Sequence, residues 1–288
     1  MADTMFDRLR KAIAAEEPIA LATVVESSAP ASTDSESTAS EGAESTADDG
    51  NDVPSAGGKL LITPGGEPEG SLGNEELDRV VLRDAIGELS AGTSGIRHYG
   101  PRGEARQEDV SVFIESFAPP PQMLIFGAVD FTAALSRVAK ILGYRVTVCD
   151  ARPVFATTQR FPYADEVVVD WPNRFLDKVG ADLGPRDAIC VLTHDPKFDV
   201  PAVTSALTTK AGYLGAMGSR RTTEDRNDRL RAEGITDAQL DTIMAPIGLD
   251  LGARTPEETA ISICAEIIAL RSDRRPPSLR DTSGDIHS

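Results

Sequence analysis

The chain has 288 residues, enough for two domains with sizeable cores, and 40% of them are apolar, an ordinary share for a globular protein. Its formal charge of -17 repels nucleic acid and anionic membranes, and no apolar run approaches the roughly 20 residues needed to span a bilayer, so neither is an expected partner. Cys149, Cys190 and Cys264 all lie inside apolar strand or helix patterns, which suits reduced core thiols better than disulfides, a zinc site or an exposed nucleophile.

In chain order, "MADTMFDRLRKAIAAEEP" reads as a charged amphipathic helix rather than a signal peptide, and a cytoplasmic location is expected. "IALATVVES" (19–27) alternates like a strand, with "GKLLITP" (58–64) as its partner. Residues 28–56 between them hold Ser, Thr, Ala and acids with almost no large apolar side chain. They cannot offset their ordering entropy and are expected to be a disordered acidic insertion in a hairpin. A turn and a short extended piece follow, then a helix with Leu77, Val80, Val81, Asp84 and Ala85 at helical spacing. "TSGIRHYG" and "DVSVFIESF" complete a small α+β domain over 1–117, and the stiff "APPPQ" of 118–122 marks a linker.

From Met123 the pattern changes to alternating strand and helix. "MLIFG", "YRVTVCD", "EVVVD" and "AICVLTHD" are apolar runs separated by helical segments, which predicts an α/β domain with a doubly wound parallel sheet covered on both faces over 123–271, and a disordered tail over 272–288. Ligands of such folds sit outside the carboxyl ends of the strands. The residues there are Gly127, Asp150, Asp170 and the run Thr193, His194, Asp195.

The turn "IFGAVDFTAAL" stands where a dinucleotide-binding protein carries Gly-x-Gly-x-x-Gly, and Val129 replaces the middle glycine. A side chain there obstructs approach of a pyrophosphate, and Asp130 adds negative charge. Asp150 remains placed to accept ribose hydroxyls. His194 reads either as a general base or as a loop side chain. "YLGAMGSRRTTEDR" sets Ser219, Arg220 and Arg221 at a helix start, where fork donors suit phosphate. "PIGLDLGARTPEETAISICAEIIAL" carries Gly248 and Gly252 into a second helix, with Thr255 as N-cap, Pro256 in the first turn and Glu258 closing a capping box. Ile261, Ile263, Cys264, Ile267, Ile268 and Leu270 form its expected inward stripe. Two helix starts and an arginine pair are thus expected to converge on one phosphorylated ligand.

These residues carry a resemblance. "PQMLIFGA", "GYRVTVCDARPVFATTQRFPYADEVVVDWP", "VLTHDPKFD", "GYLGAMGSRRT" and "PIGLDLGARTPEETAISICAEIIAL", spanning 121–271, closely resemble the C-terminal Rossmann domain of the XdhC/CoxI family, accessory factors of molybdenum hydroxylases such as xanthine dehydrogenase and carbon monoxide dehydrogenase. The motifs bring Arg152 and Gly215 into the expected cofactor-binding set. "ALATVVESS" and "GEPEGSLGNEELD" resemble the family's N-terminal domain more weakly, with Asn74, Glu75 and Glu76 where relatives have small residues and a cysteine. The family's Gly-Ala-Gly-His turn is "GAVD" here.

The resemblance implies binding of molybdenum cofactor (molybdopterin) as cargo, help with its sulfuration by a cysteine desulfurase, and delivery to an apo molybdenum hydroxylase. A chaperone is expected rather than a catalyst, with no catalytic residue, no metal ligand and a homodimer left open. Two alternatives stand beside it: an NAD(P)-dependent oxidoreductase, favoured by Asp150, and a degenerate family member that acts only by interaction.

Overall fold

The computed structural model describes residues 4–28, 54–105, 107–271, 278 and 280. The expected insertion at 28–56 therefore lies mostly outside the described residues, as does most of the 272–288 tail. The chain forms two units, Met1–Pro119 and Pro120–Ser288, which divide within "APPPQ".

The first unit runs α1 (Met5–Ala14), β1 (Ile19–Ser27), β2 (Lys59–Ile62), β3 (Glu69–Ser71), α2 (Glu75–Ala91), β4 (Gly95–Tyr99) and β5 (Val110–Phe117). Its sheet has the order β3-β2-β1-β5-β4, antiparallel throughout. Alternation along β1 sends Ala20, Ala22 and Val24 into a core with Leu77, Val81 and Ala85 of α2. Ile19 faces the other way and clusters with Ala12 of α1 and Leu61. Asp84 keeps the helical spacing of the apolar residues because its carboxylate accepts the Tyr99 hydroxyl at 3.0 Å. At the start of α2, Asn74 accepts the amides of Glu76 and Leu77 at 3.0 and 3.2 Å, and Glu75, Glu76 and Asp78 complement the helix dipole. That helix end is capped and negative, so it repels anions.

The second unit runs β6 (Gln122–Phe126), α3 (Asp130–Ile141), β7 (Arg145–Cys149), β8 (Glu166–Val168), α4 (Pro172–Val179), β9 (Ala188–Val191), α5 (Pro196–Ala206), β10 (Tyr213–Ala216), α6 (Arg220–Ala232), α7 (Asp237–Leu240) and α8 (Pro256–Arg271). All four strand pairs are parallel, in the order β10-β9-β6-β7-β8. Met123 and Ile125 of β6 pack with Leu135 of α3 and Ile263 of α8 on one face. Leu124 and Phe126 pack with Phe175, Val203 and Leu230 of α4, α5 and α6 on the other. This is the expected doubly wound α/β fold, and the chain leaves β6 toward β7 on one side and toward β9 on the other. Adjacent β6 and β9 thus flank the topological switch point, where such sheets open a crevice.

Three expectations need correction. "EVVVD" is not a fully buried run: β8 is a short edge strand, and Val169 beyond it is 50% exposed. Half of the expected α8 stripe faces out, since Ile261, Ile268 and Leu270 are exposed while Ala260, Ser262 and Glu266 are buried with Ile263, Cys264 and Ile267. In the 272–288 stretch, Ser278 is buried and bridges Leu249, and Arg280 donates to the Asp241 carbonyl and carboxylate. The three cysteines are buried and unpaired, and burial pushes the Cys149 and Cys264 thiols up to about 12.

Candidate functional site

A cavity of about 600 Å³ opens beside the switch point. Its walls come from Phe131 of α3, His194 after β9, Met217 to Arg221 after β10, the loop from Pro246 to Ala253, and Thr259 and Ser262 of α8. Phe131, Met217, Ile247, Leu249 and Leu251 give it an apolar side, and Ser219, Arg220 and Arg221 a polar, cationic one. The volume lies within the roughly 300–1,000 Å³ of small-molecule sites.

The cationic side is built by the turn into α6. Gly218 has φ +153, and a Cβ there would come within 3.1 Å of Thr222 Cβ, so the turn needs glycine. Ser219 is the N-cap: its hydroxyl accepts the Thr222 amide at 3.1 Å. The helix start lies on the cavity and carries the positive end of the α6 dipole, about half a charge, together with two arginines.

The loop wall is fastened from behind by α8. Glu266, 1% exposed, accepts the Gly248 amide at 2.9 Å and the Tyr213 hydroxyl at 2.7 Å with one oxygen, and the Ser278 hydroxyl at 2.7 Å with the other. Ser262 donates to the Leu249 carbonyl. Gly248 has φ +99, and a Cβ there would meet Ser262 Oγ at 2.6 Å, so this glycine serves the close approach of loop to helix. Gly252, φ +69, shapes the turn at the cavity rim. Thr255 caps α8 as the spacing predicts: its hydroxyl accepts the Glu258 amide at 3.2 Å and its own amide donates to Glu258 at 3.1 Å. Glu258 also takes the Arg254 amide. The expected anion-facing start of α8 is thus occupied by its own capping box, and Thr255 is not part of the cavity wall.

The first turn of the unit performs different work from that expected of it. Gly127, φ +113, lets β6 pass β9, where a Cβ would lie 2.9 Å from the Thr193 amide. Asp150 is already engaged: its carboxylate accepts the Ala128 amide at 2.8 Å, the Arg152 amide at 2.9 Å, and Arg152 Nε and Nη2 at 2.9 and 2.7 Å. Burial pushes this carboxyl up, but the Arg152 side chain and the two amides outweigh it and hold it below its ordinary value. The acid that would have read a ribose therefore ties the turn to Arg152. Thr193 accepts the Asp195 amide at 3.2 Å, and Asp195 caps α5 by accepting the Lys197 amide at 3.1 Å. Asp170 binds Lys178 at 2.7 Å. Gly215 lies inside β10 against Ile247 and Tyr213, with no room for a side chain. Of the predicted set, His194, Ser219, Arg220, Arg221 and Gly252 meet at the cavity, and the others lie outside its lining.

Sequence reasoning missed Phe131, Ser262, Glu266 and Arg226. Glu266 had a visible signal, an acid between Ala265 and Ile267 on the buried face of a helix. Arg226 had one too, since it stands four residues before Leu230, the buried leucine of α6.

A family model described as the XdhC Rossmann domain matches residues 123–267, just over half of the chain, and includes every residue that lines the cavity. The chain belongs to the XdhC family. A Bacillus subtilis protein named as a probable xanthine dehydrogenase subunit is 31% identical over 164 residues, covering 57% of this chain and 47% of that protein. The Escherichia coli molybdenum cofactor insertion chaperone PaoD is 26% identical over 159 residues, covering 55% and 43%. The chain spans less than half the length of these relatives. A solved Bacillus halodurans structure titled as a xanthine dehydrogenase has the same fold, with a TM-score of 0.51 and 20% identity over 93% of this chain and 96% of that one. The XdhC match lies on the unit that holds the cavity.

Proposed function

We infer that the chain binds molybdenum cofactor as cargo in the cavity beside the switch point and delivers it to an apo molybdenum hydroxylase of the xanthine or carbon monoxide dehydrogenase type. The observation that carries this reading is the pairing, in one cavity, of the α6 start with Ser219, Arg220 and Arg221 and an apolar wall of Phe131, Ile247 and Leu249. A pterin is a flat ring with a phosphorylated tail. The arginines and the helix dipole would hold the phosphate, and the apolar side would cover the ring. The family membership and the name of the relative PaoD support the same reading.

The chain's part in sulfuration would be to hold the cofactor while a cysteine desulfurase supplies the sulfur. All three of its cysteines are buried, with thiols pushed up by burial, so none is suited to carry a persulfide. Release to the acceptor requires only a difference in affinity between the free and docked forms.

The test is to purify the protein from a molybdenum-replete host, assay bound pterin, and titrate cofactor-free protein with molybdenum cofactor and, separately, NADH. Copurified pterin and saturable cofactor binding support the carrier. NADH binding without pterin would favour an oxidoreductase, and binding of neither would leave an interaction-only protein.

A further inference from the structure

Behind the cavity floor lies a buried ion pair that the proposed cargo site does not use. Arg226 of α6 is 2% exposed and Asp199 of α5 is 3% exposed. Arg226 Nη1 donates to the Met217 carbonyl at 3.0 Å and stands 3.6 Å from Asp199 Oδ2, too long for a full hydrogen bond. Asp199 Oδ1, Thr223 Oγ1 and Arg226 Nε and Nη2 have no hydrogen-bond partner among the described residues. The guanidinium is therefore poorly compensated, and it lies directly under the cavity: Nη1 is 4.0 Å from the position a Cβ on Gly218 would take, and both Met217 and Gly218 line the cavity.

We propose that Arg226 is a buried cation of the anion site, acting across Gly218, and that Asp199 sets its strength: a neutral Asp199 leaves the guanidinium to attract an anion at the α6 start, and an ionised one cancels it. The inference rests on the reading of the α6 start as an anion site.

Geometry and protonation agree on this. Burial pushes the Asp199 carboxyl up to about 7, against the opposing pull of Arg226, so it changes charge near neutrality while the arginine stays cationic. The other charged groups acting on Asp199 are Asp195 at the start of its own helix and Arg229 of α6. β9 and β10 carry no charged side chain, and Arg174, Asp177 and Lys178 of the neighbouring α4 are exposed. At an effective dielectric of about 40, between that of the near-surface interior and water, a unit charge about 10 Å from a doubly charged anion alters its affinity by roughly tenfold.

Sulfate is the probe, because it does not titrate between pH 6 and 8. His194 also lines the cavity, so the work is done in a His194→Gln background. Sulfate affinity, read by calorimetry, is expected to fall three- to tenfold from pH 6 to pH 8, and Asp199→Asn, which resembles the neutral acid in shape, is expected to hold the low-pH affinity throughout. Arg226→Met should weaken binding at pH 6 about tenfold, with Arg226→Lys restoring part of it; thermal melting establishes that each variant is folded. Sulfate binding that is independent of pH, or whose pH dependence survives Asp199→Asn, overturns the inference and leaves the anion site standing. Absence of sulfate binding at every pH overturns the anion site and the inference with it.

Discussion

Tyr213 and Glu266 meet in the interior of the second unit, the hydroxyl donating at 2.7 Å to the same carboxylate oxygen that accepts the Gly248 amide. The contact joins β10, α8 and the cavity loop at one buried point. It presses the Tyr213 hydroxyl toward its neutral form, through burial first and the neighbouring carboxylate second. Glu266→Ala would strand three buried donors, each costing about 1–3 kcal/mol, so a loss of roughly 3 kcal/mol or more is expected in chemical denaturation. Glu266→Gln keeps an oxygen for Tyr213 and Gly248 and should lose about 1 kcal/mol. Equal losses for the two substitutions would show that the site is held by packing alone.

Arg221 and Asp150 separate ligand binding from framework. Arg221 is exposed on the cavity, so Arg221→Ala should leave the melting temperature nearly unchanged while weakening molybdenum cofactor binding ten- to hundredfold, equivalent to a charge-assisted contact of about 1.5–3 kcal/mol. Asp150→Ala should do the reverse, because its carboxylate holds the Ala128 amide and Arg152. Since the folded-state carboxyl sits below its ordinary value, its stabilisation is present above the unfolded pKa near 4 and disappears as pH falls below it. The wild-type advantage over Asp150→Ala, followed by melting from pH 7 to pH 3, should therefore shrink only at the acidic end. A large loss of cofactor affinity in Asp150→Ala at neutral pH, with the fold intact, would restore Asp150 to the binding set.

The parallel sheet was legible because apolar runs such as Met123, Leu124, Ile125 and Phe126 alternate with helical segments, the pattern of strands buried on both faces. The α6 start was legible from Gly218, Ser219 and two arginines. What stayed hidden depends on partners distant in sequence. Nothing in "DARPVF" tells that Arg152 turns back onto Asp150. Among the arginines of "RRTTEDRNDRLRA", helical register alone selects Arg226 as the inward one, and Asp199 sits on another helix. The second helix start was over-read because a capping box signals where a helix begins, not which side of it is open to a ligand.

Gly127 supports the switch point through close backbone contact. With φ +113 and the Thr193 amide 2.9 Å from any added Cβ, Gly127→Ala is strained and obstructed at once. A loss of about 2 kcal/mol or more is expected, larger than the roughly 1 kcal/mol commonly seen for a point substitution. Gly143 offers the control: φ is +82 there and nothing lies within 4 Å, so Gly143→Ala carries the conformational term alone. If both variants melted alike, the close approach to Thr193 would carry no weight.

Asp199 gives the protein a pH dependence opposite in sign to that of Asp150. Its folded-state carboxyl is raised to about 7, so between pH 4 and 7 the folded chain holds a proton that the unfolded chain has lost. Stability therefore declines as pH rises through that window and levels off above it. Asp199→Asn cannot ionise and should lack this decline. Near pH 5 the variant and the wild type should melt within a degree or two of each other, since both present a neutral group to Arg226. Near pH 8 the wild type contains an ionised acid that is buried, 3.6 Å from Arg226 and lacking a full hydrogen bond, whereas the variant leaves the guanidinium without its counter-charge. Burial dominates the Asp199 shift, so the variant is expected to be the more stable of the two at pH 8. Melting curves at the two pH values decide it: a variant less stable than wild type by the same margin at pH 5 and at pH 8 would mean that the Arg226 pair outweighs desolvation and that Asp199 is ionised throughout the neutral range.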